Sequence, residues 1–408
     1  MNSSEGARDS SSSERLTVLI VDPHLLDRSG GGNQVTQSLI MRYTDKRKFR
    51  LILAVPVVSE FAKQVNAWGI ECEVVEPPSR LLRYGGQALR DGVLGRARTV
   101  VDIVRYNLRL LSLIRAKSVD AVYCNCLRSY LYVGLAAKLA RRPVLWYIKG
   151  DLGNPLLDFV ALMAADRIAF NGRTNKWARY PALIRRLEKK VRVIPSGLDL
   201  QRVTEVEAQD HSQLRAELAL QSHTVNLAYL GLIYRPKGVD DLLHALARVR
   251  RQCSEFRLYV IGDCSSDQHL PYKRELEEIV HSKGLDDHVV FLGWRWDALE
   301  ILSLMDVLVH PSLSEGFPRA VLEAMALGKA VVATRVGALR ADDVIRNGHE
   351  GFLVEPRDIE TMAKHIVALV NDRALRQRMG GAAKQKAFEN YAIHNQIRQL
   401  EDTWSGMV

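Results

Sequence analysis

Short apolar runs alternate with longer stretches in which apolar residues recur every three or four positions, along nearly the whole chain. The run LTVLIV (16–21) is followed by a glycine-rich segment and then by Val35, Leu39 and Tyr43, four apart. A continuous apolar run bounded by turn residues predicts a buried strand, and the four-residue spacing predicts a helix packed against it. RLILAV (50–55), CEVVE (72–76), AVYC (121–124) and VLWYI (144–148) continue this series. A second series holds VNLAYLG (225–231), FRLYVIG (256–262), HVVFLG (288–293), DVLVH (306–310) and AVVAT (330–334). Strands alternating with helices predict parallel sheets covered on both faces, and two series predict two doubly wound α/β domains. Pro, Ser and Gly in IPSGLD (194–199) punctuate the chain between them. The expected domains are therefore 16–197 and 198–390. Ligands of such sheets bind at the carboxyl ends of the strands, so the expected site is the cleft between the two domains.

Composition narrows this little. The 408 residues suit two domains, and 47% hydrophobic with 25% charged residues is the balance of a soluble globular protein. That argues against a disordered, collagen-like or disulfide-stapled chain. The longest apolar runs are about seven residues, as at 159–165, against the roughly 18 a membrane-spanning helix needs. Residues 1–15 are polar and Ser-rich and are expected to form a disordered tail rather than a secretory signal. Five cysteines, an odd and sparse set, favour a reducing compartment, so a cytoplasmic location is expected. Cys124 and Cys126 form a C-x-C pair with no second cluster to complete a zinc site.

Charge changes the picture more. The net formal charge is +10. Between residues 80 and 149 there are 14 Lys and Arg against three Asp, a surplus of 11. Arg96, Arg98, Arg105, Arg109 and Arg115 are interleaved with Val100, Val101, Val104, Leu108, Leu111 and Ile114, the pattern of a basic amphipathic helix. Two readings stand: a core-packed helix with a solvated basic face, or a helix that adheres to an anionic membrane surface through residues 80–117. A nucleic-acid partner is not expected, because no stacking platform or nucleic-acid module accompanies the charge.

The densest chemical signal is HPSLSEGFPRAVLEAMALGKAVVAT (310–334). A strand ends at His310, a loop carries Glu315, Gly316 and Phe317, and Pro318 suits the first turn of a helix that stops at Gly328. Glu315 in the loop and Glu323 in the helix can each accept hydrogen bonds from paired sugar hydroxyls, while the loop and helix-start amides favour an anion. In LGLIYRPKGVDDLLHAL (230–246), a loop brings Arg235 and Lys237 to a strand's carboxyl end, where a cation can meet a diphosphate. In SGGGNQV (29–35), Gly31 and Gly32 permit close approach of backbone to ligand at a helix start.

These segments resemble the retaining, nucleotide-sugar-dependent glycosyltransferases of family 4, which have the GT-B fold of two facing Rossmann-like domains. The resemblance covers about residues 16–390. Its hallmark is Glu, seven residues, Glu, here Glu315 and Glu323. It implies that Glu315 contacts the donor sugar and Glu323 the nucleotide ribose. It implies that Gly31 and Gly32 approach donor phosphates or acceptor, and that backbone around Trp294 meets the base. Lys237-Gly238 fits the family pattern, but its strand-end Arg is Leu232 here, with Arg235 as the candidate replacement. PVLWYIKG (143–150) matches a strand that usually ends in His-Gly; Lys149 stands at that His. It is read either as a partner for phosphate or an acceptor anion, or as a loop lysine. Asp343 falls at the position of another family Glu. The resemblance also implies a terminal helix, within 391–408, crossing back to the first domain.

The expected function is thus retaining transfer of a sugar from a nucleoside-diphosphate donor to a carbohydrate or lipid-linked hydroxyl acceptor, in polysaccharide or glycolipid assembly at the cytosolic membrane face. Glu315, Lys237 and Lys149 are the expected catalytic residues; Gly31, Gly32, Arg235, Trp294, Gly316, Phe317 and Glu323 are the expected donor-binding residues. No cofactor and no metal are expected. The alternatives are a phosphorylase or nucleotide-sugar epimerase on the same scaffold, and a catalytically weak nucleotide-sugar-binding subunit.

Overall fold

A computed structural model describes residues 15–23, 32–82, 92–149, 155–172, 181–264, 266–340 and 344–408. Residues 1–14, Gly31 and Asp343 lie outside the described residues. The first sheet contains β1 (Leu16–Val21), β2 (Phe49–Val55), β3 (Glu71–Val74), β4 (Ala121–Cys124), β5 (Val144–Ile148), β6 (Arg167–Phe170) and β7 (Val191–Val193). Its order is β3-β2-β1-β4-β5-β6-β7, with every pair parallel. The second contains β8 (Val225–Leu230), β9 (Phe256–Ile261), β10 (Val289–Gly293), β11 (Val307–His310), β12 (Ala330–Thr334) and β13 (Phe352–Val354). Its order is β10-β9-β8-β11-β12-β13, again parallel. Strands β6, β7 and β13 have no counterpart in the sequence reading. RIAF, VRV and FLV are three or four residues long, too short for a periodicity to stand out.

Strand residues alternate between two buried faces, as in a sheet covered on both sides. In the first sheet Leu19, Val122 and Trp146 pack against the helices Val93–Ala116, Leu127–Leu139 and Pro155–Ala164. Ile20, Tyr123 and Leu145 pack against the helices Gly32–Tyr43, Glu60–Ala67 and Ile393–Ser405. The last helix therefore lies on the first sheet, although the strands before it build the second. Its Trp404 is fully buried, with its ring 5.6 Å from Phe49 and 5.9 Å from Tyr123. Gln396 holds the helix to β5 and the linker: its amide donates to the Tyr147 hydroxyl at 3.1 Å and its Oε1 accepts from Gly197 N at 2.7 Å.

The chain passes between the sheets twice, and the two passages are bonded together. Leu198 N donates to Tyr391 O at 2.7 Å, and Ile393 N donates to Leu198 O at 2.8 Å. A Cβ on Gly197 would stand 2.5 Å from the Ile393 Cα, so the close passage requires glycine there. In each sheet the first strand lies next to one reached by a reversed crossover: β1 beside β4, and β8 beside β11. Such a switch point opens a crevice at the carboxyl ends of the strands.

Candidate active site

Two loops meet at the switch point of the second sheet. After β8, the chain forms a 3-10 turn, Arg235–Lys237, closed by Gly238 in the left-handed region (φ +64°). After β11, Pro311 to Pro318 lead into the helix Arg319–Ala326. Leu313 N donates to Pro236 O at 2.8 Å, and a Cβ at Gly238 would stand 2.3 Å from Pro311 O. The loops touch through backbone, and glycine is what permits it. A third contact comes after β12: Ala338 N donates to Gly316 O at 3.2 Å, and a Cβ at Gly337 would stand 2.1 Å from Glu315 O.

This packing turns Glu315 inward. Its Oε1 accepts from the Lys237 ammonium, from His310 Nε2 at 2.9 Å and from Ser312 Oγ at 2.9 Å. Burial alone would raise its pKa, but the bond and field of His310 and the charge of Lys237 outweigh that and hold it at about 2. Glu315 is therefore an ionised carboxylate at neutral pH. Its neighbour His310 is itself buried, and its Nδ1 has no hydrogen-bond partner.

Glu323 stands mid-helix, one turn after Arg319, whose Nε donates to it at 2.8 Å. Pro318 is the N-cap rather than the first helical residue, and Gly328 follows the helix in the left-handed region (φ +68°). The opposite wall comes from the first domain. Lys149 follows β5; its Nζ is buried without a hydrogen-bond partner, 5.3 Å from the centre of the Tyr147 ring. Desolvation pulls its pKa down to about 7; Cys126 and Asp22 oppose the fall, and Arg319 of the second domain adds to it. Lys149 and Arg319, from different domains, are thus within electrostatic reach of each other.

The other candidate residues are placed differently. Arg235 is ion-paired to Glu275 and lies 5.1 Å from the Tyr272 ring, turned to the helix Leu270–Ser282 and away from the Glu315 cluster. The Leu232 carbonyl accepts from the Tyr229 hydroxyl at 2.8 Å. The Phe317 ring, partly buried, meets Tyr391 of the crossover edge-on at 6.0 Å. Trp294 is exposed at the end of β10, the outer edge of the sheet, against the Trp296 ring at 6.1 Å. Gly32 opens the helix Gly32–Tyr43, the element that follows β1 in the chain. His310, Ser312, Arg319, Asp22 and Asn125 belong to the site but were not singled out from sequence. Arg319 had a readable signal, four residues before Glu323 on one helix face. Among the described residues no group of three or more His, Cys, Asp or Glu is placed to hold a metal ion.

The chain is similar to known proteins in sequence and in fold. Residues 224–372 match the model of the glycosyl transferases group 1 family. The N-acetyl-alpha-D-glucosaminyl L-malate synthase of Bacillus anthracis is 28% identical over 192 residues, covering 47% of this chain and 48% of that protein. The UDP-Gal:alpha-D-GlcNAc-diphosphoundecaprenol alpha-1,3-galactosyltransferase of Escherichia coli is 25% identical over 222 residues, covering 54% and 55%. The chain thus spans about half the length of these curated relatives. HepE of Anabaena, solved in complex with UDP-glucose, superimposes with a TM-score of 0.75 at 22% identity, covering 96% of this chain and 100% of that one. Two facing parallel sheets and the superposition over 96% of the chain give it the GT-B fold, and its residues 224–372 are similar to the glycosyl transferases group 1 family.

Proposed function

We propose that this chain is a retaining glycosyltransferase that moves a sugar from a nucleoside-diphosphate donor to a hydroxyl acceptor. The observation that carries the reading is the Lys237–Glu315 pair at the β8/β11 switch point, within the region that matches the family. An ammonium has three protons, so Lys237 can keep Glu315 and still donate to the departing phosphate. The bonds to Glu315 reach one carboxylate oxygen, which leaves Oε2 for hydroxyls of the donor sugar. Glu323 holds the ribose. The bond from the anomeric carbon to phosphate oxygen breaks, and its electron pair leaves with the diphosphate, where Lys237 stabilises it. The acceptor oxygen bonds to the same face of that carbon and gives its proton to the departing phosphate. No metal is required in this scheme, and transfer survives EDTA.

HepE was solved with UDP-glucose and the Escherichia coli relative is named for a UDP-Gal donor and an undecaprenol-linked sugar, which favours a nucleotide-sugar donor and a lipid-linked acceptor here. The first domain supports the second half of that reading. In the helix Val93–Ala116, Tyr106, Leu110, Leu111 and Ile114 are buried, but Val93, Leu94, Val100, Val101, Val104 and Leu108 are exposed among the arginines. The neighbouring helices add exposed Leu135, Leu139, Leu156, Phe159, Val160 and Met163. Apolar residues at 84% and 72% exposure, as Val93 and Leu156 are, lose contact with water by entering an anionic lipid interface, and the arginines are drawn to it. This favours a location at the cytosolic face, where lipid-linked acceptors are concentrated. No described helix is long and apolar enough to cross the membrane. The test is NMR of the product made by the purified chain from nucleotide sugars and a lipid-linked acceptor. The proposal predicts a product with the donor's anomeric configuration; inversion, or free sugar 1-phosphate as product, overturns it.

A further inference from the structure

This inference rests on the transferase reading above and concerns the sugar itself. Strands β1, β4 and β5 lie side by side, so the residues just past their carboxyl ends, Asp22, Asn125 with Cys126, and Lys149, form one row on the first domain's wall of the cleft. Two buried hydrogen-bond donors in that row, Lys149 Nζ and Asn125 Nδ2, have no partner. The neighbouring groups do not supply one. Asn125 Oδ1 accepts from Ser129 Oγ at 3.4 Å, and the Cys126 thiol caps the helix Leu127–Leu139 through Ser129 N at 3.5 Å. The Lys149 carbonyl accepts from Asn171 Nδ2 at 3.3 Å, which fixes the backbone and leaves the ammonium end unsatisfied. The Tyr147 ring offers a π face but no lone pair.

Native proteins rarely leave buried donors unpaired, and those they do leave call for a ligand or a water. A hydroxyl would satisfy one donor only, and Cys126 and Asp22 act on the ammonium through their fields without bonding it. A carboxylate has two oxygens for the two donors and the opposite sign. Arg319, four residues from Glu315 in the chain, acts on Lys149 through its charge, which brings this row near the Glu315 loop. The low pKa of Lys149, about 7, follows from desolvation of an ammonium that has no bonded anion, with Cys126 and Asp22 opposing the fall and Arg319 adding to it.

We propose that Lys149 and Asn125 form a subsite for a carboxylate carried by one of the two sugars that meet in the cleft, so that this enzyme transfers or extends a uronic acid. The test is calorimetric titration of the full chain. One arm compares UDP-glucose with UDP-glucuronate, or the GDP or ADP counterparts if that nucleotide binds instead. The second arm compares methyl glucoside with methyl glucuronide in the presence of the nucleoside diphosphate. The expected result is a preference for the uronate of at least about tenfold in one arm, which names the source of the carboxylate. In Lys149→Met and in Asn125→Ala that preference falls to about one, with melting curves confirming that each variant is folded. Equal affinities in both arms overturn the subsite. So does a Lys149→Met variant that loses the nucleoside diphosphate itself as strongly as the uronate, since the group held is then a phosphate. If no nucleoside diphosphate binds at all, it is the transferase reading that fails.

Discussion

Glu315 is held by three donors from two loops, and its charge is part of what keeps those loops together. A carboxyl whose folded pKa is depressed contributes stability that is complete above its unfolded value of about 4.5 and is lost as the pH falls toward the folded value, here about 2. Replacing it by Gln removes that contribution. Glu315→Gln should cost about 3 kcal/mol near pH 7, and the gap from the parent chain should narrow by about 1–1.5 kcal/mol at pH 3.5. Urea titrations of both proteins at the two pH values measure this; a gap that does not change with pH would mean that the carboxylate is not ionised in the fold. The Glu315 and Lys237 pair was visible in the sequence as two polar residues in loops at strand ends. The bonds from His310 and Ser312 were not, because they depend on how far the loop after β11 folds back. The pairing of Arg235 with Glu275 was hidden for a similar reason: the partners are 40 positions apart and on different elements.

At the scale of elements, the contact between the β8 loop and the β11 loop is made by backbone, and Gly238 is its narrowest point. Gly238→Ala would strain a left-handed residue and push a methyl group into the Pro311 carbonyl. Gly348 is the control, since it is also left-handed (φ +80°) but a Cβ there meets nothing within 4 Å. Gly348→Ala should cost about 1–2 kcal/mol of backbone strain alone. Gly238→Ala should cost more and should lower transfer by at least about tenfold, because it parts Lys237 from Glu315. Melting curves and initial rates of the two variants compare them; equal stabilities would show that the loops do not need to touch. Ten strands were legible because each is an apolar run between turn residues. The helix Val93–Ala116 was legible as amphipathic, but which of its apolar residues face the sheet was not. Leu111 and Ile114 pack inward, whereas Val100, Val101, Val104 and Leu108 stay outside, so the helix shows two apolar faces.

At the scale of the molecule, that outward face belongs to the first domain, while most of the residues proposed to hold the donor belong to the second, across the cleft. The arginines of the face are partly engaged: Arg80 and Arg105 lie 3.6 and 3.5 Å from Asp102. Their excess remains large, so binding to anionic liposomes should weaken with salt as the Debye length falls from about 10 Å at 0.1 M to about 3 Å at 1 M. Changing Arg96, Arg98, Arg105 and Arg109 together to Gln should remove most of the binding in co-sedimentation; equal binding to neutral and anionic liposomes would make the charge a solvated face. The two passages between the sheets, bonded at Leu198 and at Tyr391–Ile393, tie the domains beside the cleft that the substrates are proposed to bridge. The most direct measurement of the central claim is therefore thermal unfolding of the whole chain with UDP, GDP, ADP and their sugars, beside sugar 1-phosphates. One nucleoside-diphosphate series should stabilise the chain, by about 2.7 kcal/mol at 100 times its dissociation constant, and Lys237→Ala should abolish most of that shift. Stabilisation by a sugar 1-phosphate with none by any nucleotide would contradict the account.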